Sequence, residues 1–330
     1  MSMPTLQTPE VRNSLRHAAI RATLAPSVHN TQPWLWRHSD SRLELCADRS
    51  RQLRVLDPTG RQLLISCGCA LFNARVHLAA DGFEAVVRRF PDPADPDELA
   101  VIEATRAAGP SELRALNPLL EQRQTNRRQF ADDAVAPEVV DELVAAAAAE
   151  DCEVFVIQQE SHRIATAVLS QKADQAENAN PAYRAELRAW TSDDPSRRDG
   201  VPAAAVPHVD ADAEDDIPIR DFDTRGSGWL PTKTRSSLQQ CLLLLCVPED
   251  SELAWLRAGE ALERIWLEAT RHGYAMSLFT QVIEVPHTRE ALRAELGLVS
   301  HPVVLIRVGR APKTASSHRR RIEDVLVELA

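Results

Sequence analysis

Apolar and polar positions along the chain follow two periods, and the two alternate. Helical spacing over Pro9–Leu24 gives way to short apolar stretches at Trp34–Arg37 and Leu43–Ala47. Asp40-Ser41 supplies turn residues between them, so a helix and then a hairpin are predicted. A long apolar helix is expected over Arg61–Ala80, then strands at Phe83–Phe90 and Leu99–Ala104. A helix over Ser111–Gln122 leads to a second series. That series opens with a helix from Pro137, where proline suits the first turn. A strand at Glu153–Val156 follows, with helices near His162–Gln175 and Ala182–Trp190. Leu238–Val247 is an apolar run without alternation, as in a strand buried on both faces. Leu253, Leu256, Leu262, Ile265, Trp266 and Ala269 then keep helical spacing up to Gly273, which suits a helix end. Extended stretches at Tyr274–Phe279 and Val303–Val308 and an extended tail at Ile322–Leu329 complete the series.

The two series overlay. Gly68–Phe83 lies on Gly259–Tyr274 at an offset of 191 residues, with both glycines, the Ala70-Leu71 and Ala261-Leu262 pairs and the closing aromatic in common. The order of elements after each helix also matches, so two copies of one α+β fold are expected, with central mixed sheets flanked by helices. The first half is assigned to residues 1–110 and the second to 111–330. The second half carries an irregular, lid-like insertion at about 180–235, and Asn180 to Thr234 contains six of the 21 prolines.

Composition narrows the function. At about 150 residues per domain, 330 residues make two domains. Only 11 of them are glycine, where about 7% is usual. The single Gly-x-Gly, Gly226-Ser-Gly228, opens no helix, and no P-loop motif occurs, so glycine-rich phosphate loops are set aside. The net charge of −10 disfavours nucleic acid. Residues 191–223 hold ten acids and three bases, so −7 of it sits in that one segment. No apolar run approaches the roughly 20 residues of a membrane span. The start of the chain lacks an apolar signal core, and the six cysteines match neither a disulfide framework nor a zinc template. A reduced, cytoplasmic protein is expected. The ten histidines form no His-x-x-x-His pair and there is no Gly-x-Ser-x-Gly elbow, so zinc and serine hydrolases are disfavoured.

Three constellations remain. Ala25-Pro26-Ser27-Val28-His29-Asn30-Thr31-Gln32-Pro33-Trp34 is a stiff polar turn between a helix and a strand, either a simple connection or a ligand contact. Arg123-Gln124-Thr125-Asn126-Arg127-Arg128-Gln129-Phe130 and the tail His318-Arg319-Arg320-Arg321 are basic clusters. Each alone reads as a solvated segment, but in an acidic chain the pair suggests convergence on an anion. Arginine suits phosphate because its planar fork donates two hydrogen bonds and keeps its charge. Cys67-Gly-Cys69 reads as small-residue packing rather than a redox pair. Trp190 and Trp229, which flank the insertion, are either packing residues or a cover for a ligand.

The motif Pro-Ser-x-x-Asn-x-Gln-Pro-Trp resembles the flavin-contacting turn of the FMN-dependent nitroreductase family. The second cluster resembles that family's Arg-Arg-Ser-x-Arg-x-Phe box. Arg123, Thr125 and Arg127 fall on its first, third and fifth positions, with Gln124 departing from it and Phe130 one residue late. The tail resembles the family's basic C-terminal step. The whole chain resembles the Acg-type subfamily, in which both halves share one chain. The resemblance implies FMN, with Arg123, Thr125, Arg127, Arg319 and Arg320 on its phosphate. It implies Pro26, Ser27, Val28, Asn30 and Gln32 on its ring and ribityl chain. Thr280-Gln281 stands where the family sets a main-chain N–H near the flavin, often as Glu-Gly. The first half keeps the turn and the second keeps the box, so one composite site is expected. The implied function is NAD(P)H-dependent reduction of a nitroaromatic or quinone-like acceptor by a monomeric pseudo-dimer. The alternative is an FMN-sequestering protein whose lid closes the site.

Overall fold

The computed structural model describes residues 8–127, 130–192, 194, 196–202, 217, 218, 220, 222, 240–314 and 316–329. Helix α1 (Pro9–Ala22) starts on Thr8, whose side chain accepts from the Val11 N–H, with Pro9 in the first turn. Strands β1 (Trp34–His38) and β2 (Arg42–Ala47) form the expected hairpin. Helix α2 (Arg61–Ala80) is followed by β3 (Phe83–Arg89) and β4 (Glu98–Arg106). Helix α3 (Pro137–Ala148) and β5 (Glu153–Val156) open the second series. Helices α4 (Glu160–Asn178) and α5 (Pro181–Ala189) lead towards β6 (Cys241–Val247). Helix α6 (Glu252–Arg271), β7 (Ala275–Leu278), α7 (Gln281–Glu284), α8 (Pro286–Glu295), β8 (His301–Gly309) and β9 (Leu326–Glu328) follow.

The strands make two sheets, ordered β9-β1-β2-β4-β3 and β5-β6-β8-β7. Leaving β9 aside, the two orders are the same and every neighbouring pair is antiparallel. Even an irregularity recurs. Leu45 faces Ala100 but Cys46 faces Glu98, and Leu245 faces Val304 but Cys246 faces Pro302. Each sheet therefore bulges once, at the same place in the same ladder. The last strand crosses over: β9 pairs parallel to β1, Trp36 against Leu326, so the tail of the chain completes the first sheet.

Helices α2 and α6 cross at glycines. A Cβ built on Gly68 would lie 2.0 Å from the Leu256 carbonyl oxygen, and one on Gly259 would lie 2.0 Å from that of Ile65. Leu256 follows Ile65 by the same 191 residues that separate the glycines, so the contact is the same from either side. Against the expectation of no span-length apolar run, an 18-residue window of α2 has a mean hydropathy of 1.5, apolar enough to cross a membrane by length and composition, but 83% of that window is buried here. It is a core helix, mostly apolar because it is mostly covered. One apolar core runs through both series, from Leu15, Trp34 and Leu64 to Leu243, Trp266 and Val303.

One local expectation is corrected, and two further segments take their observed form. The segment expected as a helix over Ser111–Gln122 is a short 3-10 turn, Glu112–Leu119, with Pro118 inside it. The stretch after Phe279 turns into α7 with Thr280 as its N-cap, and α8 starts on Pro286. Within the insertion α5 is ordered, while residues 203–216 and 223–239, with Trp229, lie outside the described residues.

Packing backbone on backbone at Gly68 and Gly259 leaves no space for a methyl group. Gly259→Ala is expected to lower stability by about 2–3 kcal/mol, as overpacking does. Gly109→Ala, where a Cβ meets nothing within 4 Å, should be neutral. Urea unfolding of both variants checks this.

Candidate active site

The turn between α1 and β1 is held in an unusual backbone. His29, Asn30 and Gln32 have φ of 47°, 55° and 50°. A left-handed non-glycine residue costs on the order of 1 kcal/mol or more, and such residues gather at functional sites. Hydrogen bonds hold the turn in place. The Gln32 N–H donates to Ser27 Oγ at 2.9 Å, and the Val28 N–H donates to Ser66 Oγ on α2 at 3.1 Å.

Beside this turn lies a pocket enclosing about 760 Å³ between its walls, open mouth included. Pro26, Ser27, Val28 and His29 line it from the turn, and Gln62, Ile65, Ser66 and Cys69 from α2. Thr125 and Arg127 line it from the stretch that runs beside β7, where Thr125 bridges Met276. Ser277, Leu278 and Thr280 lie at the end of β7, and Leu262 and Val304 come from α6 and β8. Arg220 and Phe222 close it from the 180–235 segment.

Among the described residues that line the pocket there is no carboxylate, while there are two guanidiniums. Burial and the neighbouring charge of Arg220 pull the Arg127 guanidinium down to about 10. Burial also works against Arg220, but Glu284, Tyr183 and Glu177 hold it charged. Arg220 donates to Glu284 at 2.6 Å and to Thr280 Oγ1 at 3.1 Å, contacts the Tyr183 hydroxyl, and lies 3.4 Å from Glu177. Burial pushes Glu177 up to about 9, against the pull of Arg220. Arg220 thus ties its segment to α4, α5 and α7 through a buried charge cluster.

Of the residues singled out from sequence, Pro26, Ser27, Val28, Thr125, Arg127 and Thr280 come together in the pocket. The others do not line it. The Asn30 side-chain amide donates to the Gly200 and His318 carbonyls, at 3.0 and 3.1 Å. Gln32 donates to the Arg198 carbonyl at 2.8 Å and accepts from the Arg320 N–H at 2.7 Å. These two side chains clamp the insertion and the tail to the turn. Gln281 donates to Asp174 at 2.7 Å. Arg320 reaches the Gln32 carbonyl and Asp48.

The two basic clusters do converge, at a buried place next to the pocket. Arg123 and Arg319 both donate to the Leu24 carbonyl, at 3.1 and 3.2 Å. Arg319 also donates to Asn30 Oδ1 at 3.2 Å. Glu263 lies 3.2 Å from Arg123 in an ion contact that is not aligned as a hydrogen bond. Burial pushes Glu263 up to about 7 against the Arg123 charge. Burial and Arg123 pull Arg319 down to about 9. Cys69, which lines the pocket, feels both Glu263 and Arg123. Burial raises the thiols of Cys67 and Cys69 above their ordinary range, so neither is a thiolate at neutral pH.

Gln62, Ser66 and Cys69 were missed, although their spacing of four and three residues marks one stripe of an otherwise apolar helix. Arg220 and Phe222 had no sequence signal beyond lying in the insertion. Trp190 does not line the pocket; Arg51 and Arg197 stack on it at 5.3 and 5.8 Å.

Breaking a buried ion cluster on one side strands the remaining charges, at about 3–5 kcal/mol. Arg220→Met is expected to lose that much in urea unfolding, and adding Glu284→Gln should restore part of it. Arg321→Met, whose ion pairs are solvent-exposed, should change stability by less than about 1 kcal/mol.

The sequence model of the Nitroreductase family matches residues 120–310. A Mycobacterium tuberculosis protein named "Putative NAD(P)H nitroreductase Rv3131" is 35% identical over 95% of this chain and 91% of its own length. The M. tuberculosis protein named "Putative NAD(P)H nitroreductase acg" is 32% identical over 97% of this chain and 96% of its own. Among solved structures, the FMN-dependent nitroreductase NfnB from Mycobacterium smegmatis, in complex with NADPH, is 20% identical. It covers 65% of this chain and 97% of its own, with a TM-score of 0.41.

Proposed function

Because the chain belongs to the nitroreductase family, we propose that it binds FMN in this pocket and passes electrons from NAD(P)H to a nitroaromatic or quinone-like acceptor. The observation that carries the reading is the make-up of the pocket. Pro26, Ser27 and Val28 of the first series meet Thr125, Arg127 and Thr280 of the second around one space.

The residues present fit FMN. Gln62 Nε2 is buried on the pocket wall without a hydrogen-bond partner among the described residues. So are Arg123 Nη1 and Arg319 Nε in the adjacent basic cluster. These are donors suited to a ring edge and a phosphate, and a buried donor left unpaired costs about 1–3 kcal/mol. Pro26, Ser27 and Val28 face the ring and ribityl chain. Thr125 supplies a hydroxyl for the phosphate, and Arg127, with Arg123, Arg319 and Arg320 behind it, supplies the positive charge. Asn30 and Gln32 act by holding the turn, the tail and the insertion together. Thr280 and Gln281 present the main chain near the ring. Bound there, FMN supplies two-electron redox chemistry, and the protein supplies position and charge.

We further propose that the chain is an internal duplication with halves at 1–110 and 111–330, holding one flavin. The repeated ladder with its repeated bulge and the two-way glycine crossing support this. At the position related by the 191-residue offset, Cys69 corresponds to Glu260 and Thr280 to Arg89. Glu260 and Arg89 pair there at 2.7 Å, with Arg75 at 2.7 Å from Glu260 and 2.6 Å from Glu150. A buried ion network thus fills the place of a second pocket. Because the two halves already bury α2 against α6, we propose a monomer. The six free cysteines support a reducing, cytoplasmic setting.

A second reading, FMN sequestration with little turnover, is favoured by one observation. Arg220 and Phe222 of the insertion are buried and line the pocket, so this part of the insertion closes one wall of it.

Anaerobic mixing of the purified protein with NADPH and NADH separates the two. Flavin absorbance that bleaches within seconds supports the oxidoreductase. Bleaching by dithionite alone supports sequestration. In either case Arg127→Ala should weaken FMN binding about 10- to 100-fold, the loss of one charge-assisted hydrogen bond. A colourless protein that takes up no FMN would overturn both.

A further inference from the structure

His29 lines the pocket, is 6% exposed, and neither of its ring nitrogens has a hydrogen-bond partner among the described residues. A buried polar side chain without a partner is uncommon and calls for an explanation. Its backbone is left-handed, with φ 47° and ψ 25°, so the turn is strained at the residue that carries the unpaired ring. The ring is fixed edge-on against Phe222, with centroids 5.6 Å apart and planes at 70°. The charged groups that bear on it are Arg220, from the insertion, and Arg127, from the second series. Burial first, then these two cations, hold the imidazole well below its ordinary value, so it is neutral at pH 7. A neutral imidazole among cations is a poor base. It has one N–H to donate and one nitrogen to accept.

The rest of the pocket decides what it faces. Pro26, Ser27, Val28, Thr125 and Arg127 are assigned to the flavin in the proposal above. His29, Arg220 and Phe222 remain, with Phe222 against both the His29 ring and the Arg127 guanidinium. They bring hydrogen-bond donors and an aromatic ring, with no carboxylate among the described lining residues. Such a wall favours a ligand rich in oxygen, neutral or anionic, and disfavours a cation.

We propose that His29 is a specificity-determining residue that donates a hydrogen bond to an oxygen of the electron acceptor, selecting neutral or anionic oxygen-bearing aromatics. This rests on the flavin reading and names the substrate class of the same site. As the acceptor takes up electrons, negative charge grows on its oxygens. A fixed N–H and the nearby guanidinium stabilise that charge without first having to shed water.

The test uses the flavin-loaded protein and two variants. His29→Ala removes both ring nitrogens. His29→Asn keeps an amide donor and tolerates a left-handed backbone. The probe is 4-nitrobenzoate, whose binding to the oxidised protein is read from the shift in flavin absorbance and by calorimetry. Thermal melting and FMN content are recorded for each variant. His29→Ala should weaken the probe about tenfold at unchanged FMN content, matching one lost hydrogen bond. His29→Asn should stay within about threefold of the parent. The cation 4-nitrobenzylamine should bind at least tenfold more weakly than 4-nitrobenzoate to the parent. A ¹⁵N-imidazole resonance of His29 that moves on adding the probe would support a direct contact. Equal probe affinity in parent and His29→Ala would overturn the proposal. So would equal losses in the Ala and Asn variants, which mark a structural role. Failure of the flavin reading is seen separately, as a parent protein without a flavin spectrum, and would remove this proposal with it.

Discussion

The close crossing of α2 and α6 is the constraint on which the rest depends. Gly68 and Gly259 let two helix backbones touch, with carbonyl oxygens where any side chain would have to sit. That contact fixes the polar stripe Gln62, Ser66 and Cys69 of α2 opposite Leu262 of α6 and the end of β7. Residues from opposite ends of the chain, Pro26 and Thr280, therefore share one pocket. In a chain with only 11 glycines, two are spent on making the helices meet. None is needed for a phosphate loop, because arginines are the candidate anion donors.

Charge is arranged in layers around that crossing. The described pocket wall carries guanidiniums and no carboxylate, while Glu177, Glu284 and Glu263 stand one step behind it against Arg220 and Arg123. At the positions offset by 191 residues, Glu260 and Glu150 meet Arg75, Arg89 and Arg264 directly.

Most elements were legible because period and punctuation agree locally. Arg61–Ala80 and Glu153–Val156 appear with the bounds their patterns predict, and the repeat at offset 191 proved to mark a helix contact. The misses have physical reasons. Over Ser111–Gln122 the apolar spacing is helical, but Pro118 cannot donate its backbone bond and a 3-10 turn results. The last strand follows no local rule that names its partner, since β9 pairs with β1 almost 290 residues away, Trp36 against Leu326. At the site, the turn and the box announced themselves as polar clusters. Whether a given side chain faces the pocket was not legible. Asn30 and Gln32 look like ligand contacts, yet they bind the Gly200, Arg198 and His318 carbonyls, which only the tertiary fold brings near. Arg220 and Phe222 carry no local signature, because their role comes from where the insertion lands.

The central claim is that two halves complete one site and that the related site is closed. The amount of FMN released per chain on denaturing the saturated protein tests it most directly. The account predicts one flavin per chain. Two flavins per chain, or none, would contradict it.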